Sequence, residues 1–418
     1  MAERLVRRLE TTKLMKGLSD GLWSDVRHAR EQGKKVCWTF GPVPFEPLRA
    51  MDIPFQHLES YGARVAARQA HGELKEVAHA CGYSRDMCSY ARITHGRRIL
   101  EQRGEIHRMN PDVVYPTPDF VAAIYSCPTQ ILVADNFARN YNVPAFIFEL
   151  PFWSEQSEME TVRKYFRRQM DEFILFLEEM TGRPFDYDRM RQLMVNTKKA
   201  AELRWECIQL CKAIPSPMTV FDQFISLGPI HGLRGTPQSV DYYEKLLAEV
   251  KDRVAKKIGA VPEEKYRLYW DNLAIWFKVG ALSEKLASLK ANIVISSYSH
   301  HPWRYPEMVN PDEPIQSIVD QFVAVWASWT LAHSMDEITK LVEEYSLDGL
   351  LMHSSHTCRP HDIGQFDIMD VVGRRTGVPG LMIDADPTDP DFYSDAQVNS
   401  RLEAFMETLA ARKKRMGS

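Results

Sequence analysis

Three of the seven cysteines stand in settings that suit a metal site, although they lie far apart in the sequence. Cys127 and Cys358 each follow an apolar run that predicts a buried strand, 120–125 and 349–352, and Cys88 opens a predicted helix. Sites in open α/β sheets gather at the carboxyl ends of strands. Three thiolates that met there would bind a metal or cluster and leave one metal position free for a substrate. This pattern favours chemistry over a closed structural site.

The local sequence supports thiolate chemistry at these three positions and packing at the other four. Thiolates are favoured near helix N-termini and cations such as Arg92, which follows Cys88 by one turn. Soft thiolates select iron–sulfur clusters, zinc or copper(I). No two cysteines have CxxC spacing, which argues against a zinc ribbon or a thioredoxin-like site. The cysteines that we predict to be packing residues are Cys37, Cys81, Cys207 and Cys211.

Composition predicts a soluble globular protein of two or three domains. The 418 residues are 44% apolar and 26% charged, with a formal net charge of −4. The sequence has no basic stripe of the kind that binds nucleic acid. The basic residues 412–415 end a predicted helix, where their charge offsets the helix dipole. No apolar run reaches the roughly 20 residues that span a bilayer, and the N-terminus lacks a signal peptide. We therefore expect a cytoplasmic protein whose cysteines are reduced, and we expect these cysteines to bind metal or take part in catalysis and not to form disulfides.

Strand and helix patterns alternate at both ends of the chain, with mostly helix between them. This rhythm predicts an α/β fold of two Rossmann-like, doubly wound parallel-sheet domains with a helical insert. The expected boundaries are 1–155, with Cys88 and Cys127, then 156–262 for the helical segment, and 263–418, with Cys358. No GxGxxG follows a strand and no GxxxxGK[ST] occurs, so the chain is not expected to bind a dinucleotide or to hydrolyse ATP through a P-loop.

Further motifs in matching order resemble one family, that of the benzoyl-CoA reductases and 2-hydroxyacyl-CoA dehydratases. Each motif is weak alone, but the ordered set covers nearly the whole chain. The motifs are Tyr83–Arg92, Pro118–Asp119 before Cys127, Tyr141–Phe146, Glu149–Phe152, Asp348–His353 before Cys358, Gly364–Gln365, Asp384–Pro387, Asp389–Pro390, Asp395–Gln397, Arg401–Leu402 and Phe405.

The resemblance implies an iron–sulfur catalytic subunit whose [4Fe-4S] cluster is held by Cys88, Cys127 and Cys358. It also implies a homologous second subunit, in a heterodimer or larger assembly, and a separate ATP-dependent iron–sulfur activator that supplies low-potential electrons. The implied substrate is a CoA thioester. One electron added at its carbonyl forms a ketyl radical anion that can expel a leaving group or accept a proton on an aromatic ring. The protein buries the cluster and tunes its potential.

The sequence leaves the reaction and its proton donors open. The stretch His353–Arg359 with Gly364–Gln365 favours an (R)-2-hydroxyacyl-CoA dehydratase, a lyase, whereas Pro116–Asp119 favours a dearomatising benzoyl-CoA reductase. Two further alternatives are a double-cubane-cluster reductase of small molecules, which would need about six cysteine ligands, and a non-catalytic assembly subunit. Proton donors must lie within hydrogen-bond reach of the substrate, and the candidates are His300, His301 and Glu149.

Overall fold

Two parallel sheets organise this computed structural model, which describes residues 4–151, 156–300, 305–324 and 330–416. Within those residues each sheet has four strands, and every neighbouring pair is parallel. The predicted α/β class with two parallel-sheet domains is therefore confirmed. The strands are β1 (Cys37–Phe40), β2 (Phe55–His57), β3 (Phe120–Tyr125), β4 (Ala145–Glu149), β5 (Tyr266–Asp271), β6 (Ala291–Ser296), β7 (Gly349–Ser355) and β8 (Gly380–Ala385).

The two sheets share one topology. The first has the order β2-β1-β3-β4 and the second the order β6-β5-β7-β8, so each strand of one sheet has a counterpart in the other. The strand order reverses between β1 and β3 and again between β5 and β7. Such reversals open a crevice at the carboxyl ends of the strands, where ligands of α/β proteins bind. The fold therefore contains two equivalent crevices.

Helices cover both sheets and form the segment between them. Those of the first part are α1 (Met15–Arg27), α2 (Phe45–Ala50), α3 (Leu58–Ala67), α4 (Gly72–Ala80), α5 (Ser89–Gln102) and α6 (Pro128–Tyr141). The middle segment has α7 (Gln156–Thr181), α8 (Tyr187–Leu210), α9 (Val220–Ile225), α10 (Leu227–His231) and α11 (Pro237–Ala255). The last part has α12 (Val279–Ser288), α13 (Ser297–His300), α14 (Pro314–Val323), α15 (Leu331–Glu344), α16 (Arg359–Asp362), α17 (Gln365–Thr376) and α18 (Asp395–Met416). No described helix is both long enough and apolar enough to cross a membrane.

The helical segment joins the cores of the two sheets. Phe173 of α7 packs against Phe148 of the first sheet, with ring centroids 4.9 Å apart. Two turns earlier, Phe166 stacks on Phe322 of α14, in the last part of the chain, at 5.3 Å. Residues of all three parts thus bury their apolar surface in one continuous cluster, which stabilises the arrangement of the sheets through the hydrophobic effect. The first sheet ends at Glu149 and the second begins at Tyr266, and the domain boundaries at 155 and 262 stay a prediction.

One predicted helix differs from the structure, and one strand was not predicted. The periodic pattern predicts one helix over 316–332, but α14 ends at Val323 and α15 begins at Leu331, while residues 325–329 lie outside the description. Thr330 caps α15, because its side chain accepts a hydrogen bond from the His333 N–H. Strand β2 was not predicted, because its three residues are too few to show an apolar run.

Candidate functional site

A cavity of about 750 Å³ lies between the two sheets, and the three predicted cysteines all line it. Cys127 stands two residues after β3, and Cys358 stands three residues after β7, its counterpart in the second sheet. Cys88 reaches the same cavity from the start of α5. Each cysteine is half-buried and lies in the cavity wall. The duplicated topology thus brings together thiols that are up to 270 residues apart in the sequence.

Each of the three cysteines occupies the N-cap position of a helix. Cys88 precedes α5, Cys127 precedes α6 and Cys358 precedes α16. Proline follows Cys127 directly and lies two residues after Cys358, where its fixed φ suits the first turn of a helix. Backbone N–H groups of the first turns donate hydrogen bonds to the sulfurs, from Ala91, Gln130 and His361 respectively. These donors and the helix dipoles stabilise negative charge on sulfur.

Burial and mutual repulsion make it unfavourable for the three thiols to ionise without a positive charge nearby. Burial raises the pKa of Cys88 to about 12 and raises the pKa of Cys127 and of Cys358 as well. Repulsion from the other two sulfurs further raises the pKa of Cys358. Three thiolates are therefore stable here only with a cationic centre between them. This donor set fits an iron–sulfur cluster, in which soft thiolates bind iron and hydrogen bonds to sulfur tune the potential.

Among the described residues, no three His, Cys, Asp or Glu side chains are arranged to bind a single metal ion. A cluster is larger than a single ion, so the protein ligands of a cluster lie further apart than those of one ion. The three cysteines share a cavity wall without closing around one point, which agrees with the larger group.

A hydrogen-bonded chain connects the segment of Cys88 with the segment of Cys358. The N–H of Ser89 donates to Oγ1 of Thr357 at 3.2 Å, and this hydroxyl donates to Asp386. Asp386 also accepts the N–H groups of Thr388 and Asp389, each at 2.9 Å, which fixes the turn after β8. All five residues are buried. The network holds two cysteine-bearing segments, one from each half of the fold, in a fixed relation.

A buried ion cluster supports the same junction. Asp389 forms ion pairs with Lys75 of α4 and with Arg92 of α5, the latter at 2.8 Å. The side chains of Lys75, Arg92 and Asp389 are only 6%, 3% and 2% exposed. A buried carboxylate between two buried cations keeps α5, which begins directly after Cys88, in contact with the turn after β8.

Glu59 is a half-buried acid in the cavity wall that sequence reasoning missed. It lies in the first turn of α3, directly after β2, and accepts a hydrogen bond from Nε2 of Gln130 at 3.1 Å. Burial raises the pKa of Glu59, and burial lowers the pKa of the neighbouring His57 to about 4. His57 is therefore neutral near pH 7 and does not stabilise a Glu59 carboxylate. A strand prediction at β2 would have identified Glu59 as a strand-end acid.

Aromatic hydroxyls complete the polar part of the wall. The hydroxyl of Tyr90 accepts a hydrogen bond from Nε1 of Trp276 at 2.6 Å, and Tyr298 also lines the cavity. Burial raises the pKa of both tyrosines, so their hydroxyls stay protonated. Both can therefore donate hydrogen bonds to a bound ligand.

The two predicted proton donors that the structure describes lie outside the cavity lining. His300 is buried against Trp205, with ring centroids 5.2 Å apart, and does not line the cavity. Glu149, at the end of β4, accepts a hydrogen bond from Tyr165 and is also outside the lining. His301 lies outside the described residues. A catalytic role for these three residues stays a prediction.

The remaining cysteines stand apart from the cavity lining. Cys37 is buried in β1, and Cys207 and Cys211 are buried in and just after α8, as the packing prediction required. The packing prediction is wrong for Cys81, which is exposed because it follows the last residue of α4 on the surface. Its sulfur accepts a hydrogen bond from Arg103 at 3.1 Å.

Comparison with known proteins places the chain in a family. Residues 41–409 match the family model of "2-hydroxyglutaryl-CoA dehydratase, D-component", and the chain belongs to this family. The resemblance predicted from the sequence motifs is thereby confirmed.

Relatives of two reaction types align over nearly the full chain. Lactoyl-CoA dehydratase subunit alpha of Anaerotignum propionicum is 26% identical, over 93% of both chains. The (R)-2-hydroxyisocaproyl-CoA dehydratase alpha subunit of Clostridioides difficile is 27% identical, over 92% of this chain and 93% of its own. One of the benzoyl-CoA reductase subunits of Thauera aromatica is also 27% identical, over 93% of this chain and 92% of its own. Identity alone therefore does not rank the two reactions.

Proposed function

We propose that this chain is the iron–sulfur catalytic subunit of an ATP-dependent radical enzyme that acts on CoA thioesters. The first candidate reaction is the dehydration of an (R)-2-hydroxyacyl-CoA. The second candidate, favoured by the likeness to the benzoyl-CoA reductase of Thauera aromatica, is dearomatising reduction of an aryl-CoA. The observation that carries the proposal is the convergence of Cys88, Cys127 and Cys358 on one cavity between the two sheets. The family match and the dehydratase relatives support the first candidate.

Cys88, Cys127 and Cys358 would hold a [4Fe-4S] cluster with one iron not bound by protein. The bound cluster would supply the single low-potential electron that the thioester carbonyl accepts. The three sulfurs accept backbone hydrogen bonds at helix N-termini, which stabilises the negative charge of the cluster-bound thiolates. The four cysteines outside the cavity give no second set of ligands there, so the site fits one cluster and not a double cubane.

Glu59 would transfer a proton within the cavity. Its raised pKa keeps its carboxyl protonated at higher pH than an ordinary glutamic acid. In dehydration, this proton would go to the departing hydroxyl group, which leaves as water. Gln130 fixes the acid, because it donates to Glu59 and accepts from the N–H and the hydroxyl of Ser126, beside Cys127. The protonated tyrosines Tyr90 and Tyr298 would donate hydrogen bonds to the substrate and exclude water from this end of the cavity.

The first test is the iron and acid-labile sulfide content of anaerobically purified protein. We expect about four irons per chain, lost or reduced in each of the variants Cys88→Ser, Cys127→Ser and Cys358→Ser. Cys81→Ser and Cys207→Ser are matched controls, one exposed and one buried, and should retain the iron. A folded wild-type protein without iron would remove the proposal.

The consumption of reductant separates the two candidate reactions. Loss of water leaves the oxidation state of the substrate unchanged overall, so the electron returns and one electron serves many turnovers. Ring reduction consumes two electrons and two protons for each product. Reduced protein should be assayed with (R)-2-hydroxyacyl-CoA and with benzoyl-CoA, and product should be compared with reductant consumed. A ratio of two electrons per product would select the reductase.

The same proposal includes two protein partners. Relatives of this chain are named as alpha subunits, and we propose a homologous second subunit. A separate ATP-dependent iron–sulfur activator would supply electrons, since the sequence carries no P-loop. Co-purification with a second family member, and turnover that requires ATP and the activator, would test these two points.

A further inference from the structure

Helix α1 lies between the cavity and solvent. Met15, Leu18 and Leu22 follow the three- and four-residue steps of one helix face, and all three line the cavity. Gly17 and Gly21 lie on the opposite face and are exposed, and a Cβ added at either position would meet no atom within 4 Å. Movement of α1 away from the cavity would therefore open the cavity to solvent at this wall.

The first half of α1 is only weakly packed. The buried residues of α1 are Trp23 and Val26, both in its second half, and none of the residues 15–22 is buried. We call residues 15–22 the gate segment. Segments with few buried apolar contacts open locally at a lower free-energy cost than the core does. The gate segment is therefore a part of the cavity wall that can open without disturbing either sheet.

The gate segment also lacks the local features that stabilise a helix. Glycine lowers the stability of a helix interior, and neither Gly17 nor Gly21 has a neighbour whose close approach would require glycine. Leu14, at the N-cap position, makes no side-chain hydrogen bond, and the first turn contains no acidic residue to offset the helix dipole. The helical conformation of this segment therefore depends on its contacts with the rest of the protein.

Arg64 of α3 provides polar contacts that hold α1 in place. It donates a hydrogen bond to the hydroxyl of Ser19 at 2.7 Å and pairs with Asp20 at 2.8 Å. Its guanidinium group also lies 4.5 Å from the ring centroid of Trp23. Arg68 approaches the Asp20 carboxylate as well, at 3.5 Å. The Asp20 side chain is 43% exposed, so water can replace its partners when the segment moves.

The apolar contacts of the gate segment with α10 are made by flexible side-chain ends. A Cβ added to Gly228 of α10 would lie 2.4 Å from Cε of Met15, and one added to Gly232, directly after α10, would lie 2.6 Å from Cδ2 of Leu22. The two glycines thus leave space that these side chains fill. Such contacts close the wall of the cavity but do not fix the backbone of α1.

Both ends of the gate segment are anchored. On the N-terminal side, Glu249 of α11 accepts hydrogen bonds from the N–H and the hydroxyl of Thr11, at 2.9 and 2.7 Å. Arg253 of the same helix donates to the carbonyl groups of Arg7 and Arg8, at 2.7 and 2.6 Å. On the C-terminal side, the buried second half of α1 holds the chain. A weak segment between two fixed ends can open and return to the same place.

We propose that the gate segment is a lid, which opens locally to admit a ligand to the cavity and closes when Arg64 binds Ser19 and Asp20. The two exposed glycines keep the closed helix weak enough to open, which accounts for glycine at positions where a larger residue would fit. A closed lid excludes water from a bound substrate. The proposal concerns access to the cavity, so it does not depend on which reaction takes place there.

Two rates measured on the full chain test the proposal. Hydrogen–deuterium exchange with mass spectrometry reports opening of the gate segment in the protein as purified. Reaction with N-ethylmaleimide, after a chelator has removed any bound iron under anaerobic conditions, reports access to the cavity thiols Cys88, Cys127 and Cys358. The exposed Cys81 is the internal reference. Both rates are proportional to the population of the open form when opening and closing are fast.

The variants should change these rates in opposite directions. Gly17→Ala and Gly21→Ala strengthen the helix and should each slow both rates roughly fourfold. Arg64→Gln removes the charged partner of Asp20 and should accelerate both roughly tenfold. Gly72→Ala is the matched control, because Gly72 is an exposed glycine of α4 with the same open space and lies outside the cavity lining. It should change neither rate.

The outcomes identify a lid or exclude one. If the two alanine variants slow exchange in the gate segment but leave labelling of the cavity thiols unchanged, ligands enter by another route and the proposal is wrong. Unchanged exchange in these variants would also overturn it, because the glycines would then not control opening. A parallel change at Cys81, or the same slowing in Gly72→Ala, would reveal a general effect on the protein and exclude a lid at α1. None of these results depends on CoA or on turnover, so the proposed function is tested separately.

Discussion

Removal of the Asp389 carboxylate should destabilise the protein strongly. Asp389→Ala leaves Lys75 and Arg92 without their shared counter-ion, although their side chains are only 6% and 3% exposed. Breaking a buried ion pair by removing one partner costs about 3–5 kcal/mol, because the remaining charge stays buried. We therefore expect a loss of about 3–5 kcal/mol in the free energy of unfolding. Urea denaturation followed by tryptophan fluorescence measures it.

Asp384→Ala is the matched control, because Asp384 is an aspartate near the same turn with an opposite setting. Its side chain is 79% exposed and pairs with Arg401 at 3.1 Å. Surface pairs of this kind contribute up to about 1 kcal/mol. If Asp389→Ala costs no more than Asp384→Ala, the buried cluster does not stabilise the junction and the reasoning is refuted.

The same ion cluster determines whether the stability of the protein rises or falls with pH. Burial alone would raise the pKa of Asp389, but Lys75, the N–H of Asp391 and Arg92 together outweigh it and hold the pKa below its ordinary value of 3.8. A lowered pKa means that the stabilisation is complete above pH 3.8 and is lost as the pH falls below it. The wild type should therefore lose its stability advantage over Asp389→Ala in acid. An advantage that grew in acid would contradict the ion pairing.

Three further predictions concern the site and its frame. Glu59→Gln should lower the rate of the proposed dehydration about 10²–10⁴-fold and leave the iron content unchanged, as activity and iron assays would show. Thr357→Val leaves the Ser89 N–H without its acceptor; it should cost about 1–3 kcal/mol of stability and shift the midpoint potential of the bound cluster, measured by redox titration with EPR detection. Gly96→Ala places a Cβ 1.9 Å from the carbonyl oxygen of Leu74, so α4 and α5 must separate; a loss of about 1–3 kcal/mol in urea denaturation is expected. An unchanged potential in Thr357→Val, or unchanged stability in Gly96→Ala, would contradict these assignments.

The sequence predicted the strands where burial on both faces produced continuous apolar runs. The run 120–125 coincides with β3, and the run 349–352 is the start of β7, which continues for three more residues. Strand β7 was predicted too short because His353, Ser354 and Ser355 are polar. They extend the strand because β8 pairs with each of them in parallel register. Pairing with a neighbouring strand is a tertiary effect that a single run of residues does not contain.

The candidate site was predictable where it depended on strand ends and not where it depended on contacts between helices. The positions of Cys127 and Cys358 follow from the topology of a parallel sheet. Glu59 was missed together with the short strand before it. The stretch 386–390 forms a turn whose N–H groups donate to Asp386. Its ion pairs with α4 and α5 had no sequence signal.

The duplicated fold explains why three thiols, and not four, reach the cavity. Cys127 and Cys358 occupy equivalent places after the third strand of each sheet. Cys88 comes from the segment between β2 and β3, and the corresponding segment between β6 and β7 contributes Tyr298 to the cavity instead of a cysteine. All seven cysteines are described, and none supplies a fourth ligand. The symmetry of the sheets would provide two matched ligands for the proposed cluster, and the missing fourth cysteine would leave one side of that cluster free, where the thioester would bind.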